Sequence, residues 1–120
     1  MWLFCKQGFF SAVQHKDDEG LIHVRARFRG DLERLCRVYC VKTRIESTPD
    51  GDYHYRADFS RAEWRRIVAA EAAGIDYANF KNKVHDGTAR DDAYFEVWNV
   101  LREAQEKDAV GNAAERRQNG

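Results

Sequence analysis

The stretch HVRARFRG, residues 23–30, has side chains that alternate in character along the chain. Alternation with a period of two is typical of a β-strand that has one buried and one exposed face. The apolar side chains would face a core, and the basic side chains of His23, Arg25 and Arg27 would face outward. Gly30 or the Asp that follows it would then cap a short helix. The stretch therefore predicts a strand that leads into a helix and carries cations on its other face.

A second junction of the same kind follows about 31 residues later. Residues 52–59 alternate, with Tyr53 expected to face the core and His54 and Arg56 expected to face outward. Ser60, with a glutamate three residues on, forms a capping box that starts a second helix. The two junctions predict a duplicated hairpin-plus-helix unit, although ordinary strand-to-helix junctions also resemble each other by chance.

The remaining pattern completes an antiparallel sheet with helices on one face. Strands are expected at residues 2–14, 21–29, 41–47 and 52–59, and the first of them bends at Gly8 because both its faces are apolar. Gly74 is expected to end the second helix in a left-handed conformation, with Ile75 folding back on it. Asp76 would cap a short helix, and Thr88 would open the last one. The order β-β-α-β-β-α-α predicts an α+β fold with a four-stranded antiparallel sheet.

Length and charge bound the possible functions. The 120 residues predict a single α+β domain at 1–104 and a polar, disordered tail at 105–120. The 20 basic and 20 acidic side chains cancel, which argues against a strong polyanion binder but leaves room for a local patch. Fourteen of the basic residues are Arg, whose planar fork suits carboxylates and phosphates. Because no signal peptide or membrane span is visible, we expect a cytoplasmic protein.

Metal and cofactor chemistry find little support in the sequence. Cys36 and Cys40 fall on the apolar stripe of the first helix, so we expect reduced thiols that face the core rather than metal ligands. No phosphate loop, nucleophile elbow or ligand cluster is present, and no cofactor is expected. An acid/base pair of His23 and His54 would be possible if their strands were neighbours, as in metal-independent ribonucleases.

Several short motifs resemble a family of small, uncharacterised bacterial proteins. They are Trp2-Leu3-Phe4, Gly8-Phe9-Phe10-Ser11, Tyr55-Arg56-Ala57, Asp76-Tyr77-x-Asn79-Phe80-Lys81 and Val97-Trp98-x-Val100-Leu101. The likeness covers about residues 1–102 and leaves out the tail. It implies a free-standing bacterial or phage protein and carries over no activity and no catalytic residues.

The outward stripe of the sheet is the candidate binding surface. It comprises His23, Arg25, Arg27, His54 and Arg56, with Phe10 or Trp2 beside them according to the bend in the first strand. Aromatic and Arg side chains favour a protein partner or a homodimer, in which the protein would act as an inhibitor or adaptor. The same residues also suit single-stranded nucleic acid or a nucleotide, and a ribonuclease-like enzyme is a third hypothesis. A solvated sheet with Arg–Asp and Arg–Glu pairs across its strands is the alternative without a ligand.

Overall fold

The computed structural model describes residues 1–119, which divide into two compact units. Met1–Ala78 forms the first unit and Asn79–Gly120, apart from its last residue, the second. The first unit contains the entire sheet and two helices. Its elements are β1 (Trp2–Cys5), β2 (Gly8–Gln14), β3 (Leu21–Ala26), α1 (Arg29–Val38), β4 (Glu46–Ser47), β5 (Tyr55–Ser60) and α2 (Arg61–Ala73).

The sheet is antiparallel throughout and has five strands in the order β1-β2-β3-β5-β4. The α+β class is therefore confirmed, but the expectation of four strands is wrong. Residues 2–14 do not form one bent strand, because the chain reverses between Cys5 and Gly8 and makes a tight hairpin. Gly8 adopts a φ of +150°, a conformation that favours glycine. Only Glu46–Ser47 of the strand expected at 41–47 pairs with β5.

The core lies between one face of this sheet and the two helices. Phe10, Val24 and Phe59 come from adjacent strands, and Leu32 and Ile67 come from α1 and α2; all five are fully buried. Each hairpin leads into the helix that covers it, so β2-β3-α1 and β4-β5-α2 repeat the same succession of elements. The duplication itself stays a prediction. The opposite face of the sheet carries the polar side chains of β3 and β5.

The ends of the helices differ from expectation in two places. Phe28, rather than Gly30 or Asp31, precedes the first residue of α1, and the buried carboxylate of Asp31 accepts the backbone N–H of Phe9 at 3.2 Å. Gly74 has a φ of −88°, so the predicted left-handed conformation is wrong, and Ile75 is exposed instead of folding back.

The capping box of α2 is confirmed. The hydroxyl of Ser60 accepts the N–H of Glu63 at 3.0 Å, and the Glu63 carboxylate accepts the N–H of Ser60 at 2.8 Å. The rings of Phe59 and Trp64, which flank this cap, have centres 6.2 Å apart and form a hydrophobic staple.

The second unit is helical. It contains α3 (Phe80–Lys83), capped by Asn79 rather than by Asp76, and α4 (Ala89–Asn119), which begins directly after Thr88 as expected. The ring of Tyr94 is buried and lies 5.7 Å from that of Phe80. The residues expected to form a disordered tail continue α4 as far as the structure describes the chain, and their side chains are exposed.

Candidate functional site

The face of the sheet that the helices leave uncovered holds most of the predicted site. Val24 and Ala26 are fully buried, whereas His23 and Arg25, which alternate with them, are half-buried and lie on the other face. The predicted alternation is therefore confirmed for residues 22–26, but β3 ends at Ala26 and Phe28, which was expected to face the core, is exposed. We call this uncovered side the open face; β1 and β2 contribute aromatic side chains to it, and β3 and β5 contribute charged ones.

The strand register brings two arginines side by side. Arg25 of β3 lies directly opposite Arg56 of β5, so their side chains share the open face. The predicted Arg–Asp pairing across the strands is absent here, because the register instead puts Asp58 opposite His23. Like charges that oppose each other across a sheet destabilise it. The fold therefore tolerates a repulsion at this point.

Arg25, Arg27 and Arg56 form an arginine cluster around the ring of Tyr53. The guanidinium carbons of Arg25 and Arg27 lie 4.8 Å and 4.4 Å from the centre of that ring, within the range of cation–π attraction. Tyr53 is buried, but under these guanidiniums rather than in the core between sheet and helices, so its predicted orientation is wrong. The ring fixes two of the three cations in place.

Neutral groups accept all the hydrogen bonds found for the arginine cluster. Arg25 donates to the hydroxyl of Ser11 at 2.9 Å, Arg27 donates to the carbonyl of Asp52 at 2.7 Å, and Arg56 donates to the carbonyl of Tyr53 at 3.4 Å. Within residues 1–119, none of the three guanidiniums forms an ion pair with a carboxylate. The Nε atoms of Arg25 and Arg56 are also buried without a hydrogen-bond partner. The three guanidiniums therefore have no carboxylate within ion-pair distance in the described part of the chain, although Glu46 of β4 lies opposite Arg56 in the register.

An aromatic strip, formed by Trp2, Phe4 and Phe9, lies on the same face. Trp2 is 69% exposed, and the rings of Phe4 and Phe9 stack with their centres 4.2 Å apart. The Phe9 ring also lies 6.4 Å from that of Tyr53, which connects the strip to the arginine cluster. Phe10 is fully buried on the helix side, so the expectation that it reaches the open face is wrong. The tight hairpin changes which side chains of β2 face each side of the sheet, so Phe9 reaches the open face instead of Phe10.

A histidine cluster, formed by His15, His23 and Asp58, lies next to the arginines. His23 Nδ1 and Asp58 Oδ1 are 2.7 Å apart, and His15 Nε2 lies 3.7 Å from Asp58 Oδ2. The two imidazole rings have centres 6.1 Å apart. His15 was not predicted as a site residue, because residues 15–20 were interpreted only as a turn. The predicted hairpin brings the end of β2 beside β3, and this pairing is the signal that could have identified His15.

His54 does not belong to this cluster. It precedes β5, whose register places Tyr55 opposite Ala26, at the far end of β3 from the His23–Asp58 pair. Four residues along a strand separate His54 from Asp58, a distance of about 13 Å. The hypothesis of an acid/base pair between His23 and His54 is therefore wrong, and His54 is exposed beside Tyr55.

A small cleft opens between the two clusters. It has a volume of about 110 Å³ and is lined by His23, Asp58 and Arg56 together with Arg44 and Glu46. Pockets for whole small molecules measure roughly 300–1,000 Å³, so this cleft suits a single group of a larger ligand. Thr43 fixes its edge by donating to the carbonyl of Asp58 at 2.9 Å.

The resolved pKa shifts of the sheet unit lie in its interior. Burial raises the pKa of the Cys5 thiol to about 11, and burial together with the hydrogen bond to Glu71 raises the pKa of Tyr39 well above its usual value. Cys36 is half-buried and its pKa is also raised by burial, whereas Cys40 is exposed, contrary to expectation. Among residues 1–119, no group of three or more His, Cys, Asp or Glu side chains is arranged to hold a metal ion.

Comparisons of the chain with protein-family models, with curated proteins and with solved structures gave no match. The resemblance to a bacterial family therefore stays a prediction. In the part of the chain that the structure describes, no helix has the length and hydropathy that crossing a bilayer requires.

Proposed function

We propose that this protein binds single-stranded nucleic acid through the open face of its sheet. The observation that carries the proposal is the arginine cluster, whose three guanidiniums have no carboxylate partner and lie beside an exposed aromatic strip. Phosphates and bases are the two groups that such a surface binds together. A protein partner or homodimer, which the sequence favours, would use the same residues and remains the competing hypothesis.

Phosphate binding explains why the cluster is assembled despite its repulsion. Arg25 and Arg56 are opposed across the strands and each keeps a buried Nε without a partner. A guanidinium offers five donors in a planar fork that matches a phosphate, and a phosphate between the two would supply both the missing charge and the missing acceptors. Among the described residues, Glu46 lies opposite Arg56 in the register of β4 and β5 but forms no ion pair with it, and Asp58 is hydrogen-bonded to His23 instead.

Base stacking explains the aromatic strip. Trp2 is the most exposed aromatic side chain of the first unit, and Phe9 connects it to the ring of Tyr53. A base that stacks on an aromatic side chain contributes about 1–3 kcal/mol to binding whatever its identity. The strip therefore suits a single strand, whose bases are unpaired, better than a duplex, whose bases are covered.

Fluorescence anisotropy with labelled single-stranded DNA and RNA oligomers tests the proposal. Three neutralised phosphates predict a slope of about −2 in log K against log salt, or a roughly 20-fold loss of affinity between 50 and 200 mM salt. Duplex DNA of the same sequence should bind more weakly. Trp2→Ala should cost about 1–3 kcal/mol of binding free energy, because it removes one stacking surface.

Arg65→Met is the matched control, since Arg65 is exposed on α2 and contributes nothing to the open face. Arg25→Met and Arg56→Met should each reduce the salt slope, whereas the control should not. Failure of the wild-type protein to bind either oligomer at 50 mM salt would contradict the proposal. Capture of a protein from a nuclease-treated lysate that depends on Arg25 and Arg56, without oligomer binding, would favour the protein-partner hypothesis instead.

A further inference from the structure

His23 has the surroundings of a general base. Its Nδ1 and the Asp58 carboxylate form a 2.7 Å hydrogen bond, which fixes the ring and leaves Nε2 as the free nitrogen. A carboxylate that orients an imidazole in this way also stabilises the imidazolium that forms when the ring accepts a proton. About a quarter of the His23 side chain is exposed, so its free edge can reach a ligand on the open face.

His15 provides a second imidazole at the same carboxylate. Its Nε2 faces Asp58 at 3.7 Å, which is too long for a hydrogen bond and leaves the N–H able to donate elsewhere. Its Nδ1 accepts the N–H of Asp17 at 3.1 Å, a surface contact that gives way when Nδ1 is protonated. With ring centres 6.1 Å apart, the two imidazoles can contact different oxygens of one phosphate group.

The adjoining cleft provides the charge that such a phosphate needs. Arg56 and Arg44 line it together with His23 and Asp58, and Arg56 has a buried donor that no protein group satisfies. Hydrogen-bond donors that are already positioned where negative charge develops in the transition state usually make the largest single contribution to catalysis. Asp58 and Glu46 are the acidic groups at the cleft, and Asp58 is held by the histidines.

We propose that the histidine cluster cleaves single-stranded RNA, an inference that rests on the proposed nucleic-acid binding. Within residues 1–119, neither imidazole hydrogen-bonds a serine, threonine or cysteine side chain, so no side chain of the cluster is set up as the nucleophile and a substrate that brings its own is favoured. RNA does so, because each ribose carries a 2′-hydroxyl next to the phosphate. DNA has no such hydroxyl and would be bound but not cut.

The reaction balances without a further reactant. His23 Nε2 takes the proton of the 2′-hydroxyl, and the 2′ oxygen forms a bond to phosphorus. The bond from phosphorus to the 5′ oxygen breaks, and the imidazolium of His15 protonates the leaving oxygen from Nε2. The products are a 2′,3′-cyclic phosphate and a 5′-hydroxyl. Arg56 stabilises the charge on the phosphoryl oxygens in the transition state, and Asp58 is a positioning residue that does not touch the substrate.

The test uses the full chain, a 5′-labelled RNA oligomer and EDTA in the buffer. We expect fragments that end in a 2′,3′-cyclic phosphate, and an oligomer with one ribose replaced by deoxyribose should resist cleavage at that position alone. His23→Gln and His15→Gln should each lower the rate about 10²–10⁴-fold. His85→Gln is the matched control because His85 belongs to the second unit and to neither cluster, and it should keep the wild-type rate.

Asp58→Asn should lower kcat with KM little changed and should alter the bell-shaped pH profile that an acid and a base produce together. Binding of a DNA oligomer separates the two proposals. If DNA binds and RNA stays intact, cleavage is refuted and binding stands; if neither oligomer binds, both proposals fail. Cleavage that His23→Gln leaves at the wild-type rate would also overturn the assignment, since it would come from elsewhere.

Discussion

Replacing Arg56 by methionine should stabilise the fold while it weakens nucleic-acid binding. Arg56 lies directly opposite Arg25, and opposed like charges on antiparallel strands cost about 0.2–1 kcal/mol. The buried Nε of Arg56 has no acceptor, and an unsatisfied buried donor costs about 1–3 kcal/mol. Methionine keeps an unbranched apolar stem and removes both costs.

The expected gain is smaller than the sum of these costs. The substitution also removes the 3.4 Å hydrogen bond to the carbonyl of Tyr53 and the attraction to Glu46, which lies opposite Arg56 on β4. The Nε of Arg25 stays without a partner. We therefore expect the free energy of unfolding to rise by about 1 kcal/mol, which raises Tm by roughly 4–8 °C in a unit of this size. The gain should shrink as salt is added, because salt screens the repulsion between exposed charges.

Urea and thermal unfolding followed by circular dichroism provide the measurement, with Arg65→Met as the control. Arg65 is exposed on α2, so its replacement should change stability by less than about 0.5 kcal/mol. A lower Tm for Arg56→Met than for the control would refute the reasoning. The opposed guanidiniums would then support the fold, and no ligand would be needed to explain them.

Three further substitutions, and a fourth that serves as a control, test the fold that presents the open face. Gly8→Ala would press a methyl group against the Asp31 side chain at a φ that disfavours alanine, and should cost about 2–6 kcal/mol in urea unfolding. Its control, Gly30→Ala, has nothing within 4 Å of the added methyl group and should be neutral or stabilising. Ser60→Ala removes the N-cap of α2 and should lower the free energy of unfolding by about 1 kcal/mol, measured in the same way. Burial raises the pKa of the Cys5 thiol from about 9 in the unfolded chain to about 11 in the folded one. Because folding favours the neutral thiol, the contribution of Cys5 to stability is complete below pH 9 and is lost as pH rises toward 11. Urea midpoints measured across that range should fall less steeply for Cys5→Ala, and an unchanged pH dependence would contradict the shift.

The alternation of apolar and polar residues was sufficient to predict β3 and β5 and the side on which their charges lie. His23, Arg25 and Arg56 are where their parity in the sequence places them, because a period of two admits only two orientations. The capping box at Ser60 was equally predictable, since it depends on two side chains three residues apart. These features depend only on residues that are close in the sequence, so the rules of local structure are sufficient to predict them.

The missed features depend on contacts between distant residues. Residues 2–14 are apolar on both parities, so their pattern does not reveal the hairpin, and the change from one strand to two moved Phe9 rather than Phe10 to the open face. His15 joined the site because the register of β2, β3 and β5 brings it to Asp58. Registers between strands are fixed by packing across the whole sheet, which a single sequence does not display.

The carboxylate of Asp31 has a consequence for how a ligand is received. It belongs to α1, yet it holds the backbone of Phe9, whose ring is on the opposite side of the sheet, and it fills the space beside Gly8. The backbone that carries the Phe9 ring is thus fixed before any ligand arrives, so that segment has little conformational entropy left to lose on association. We expect the amide of Phe9 to exchange slowly with deuterium in the free protein, and to change little when the open face is occupied.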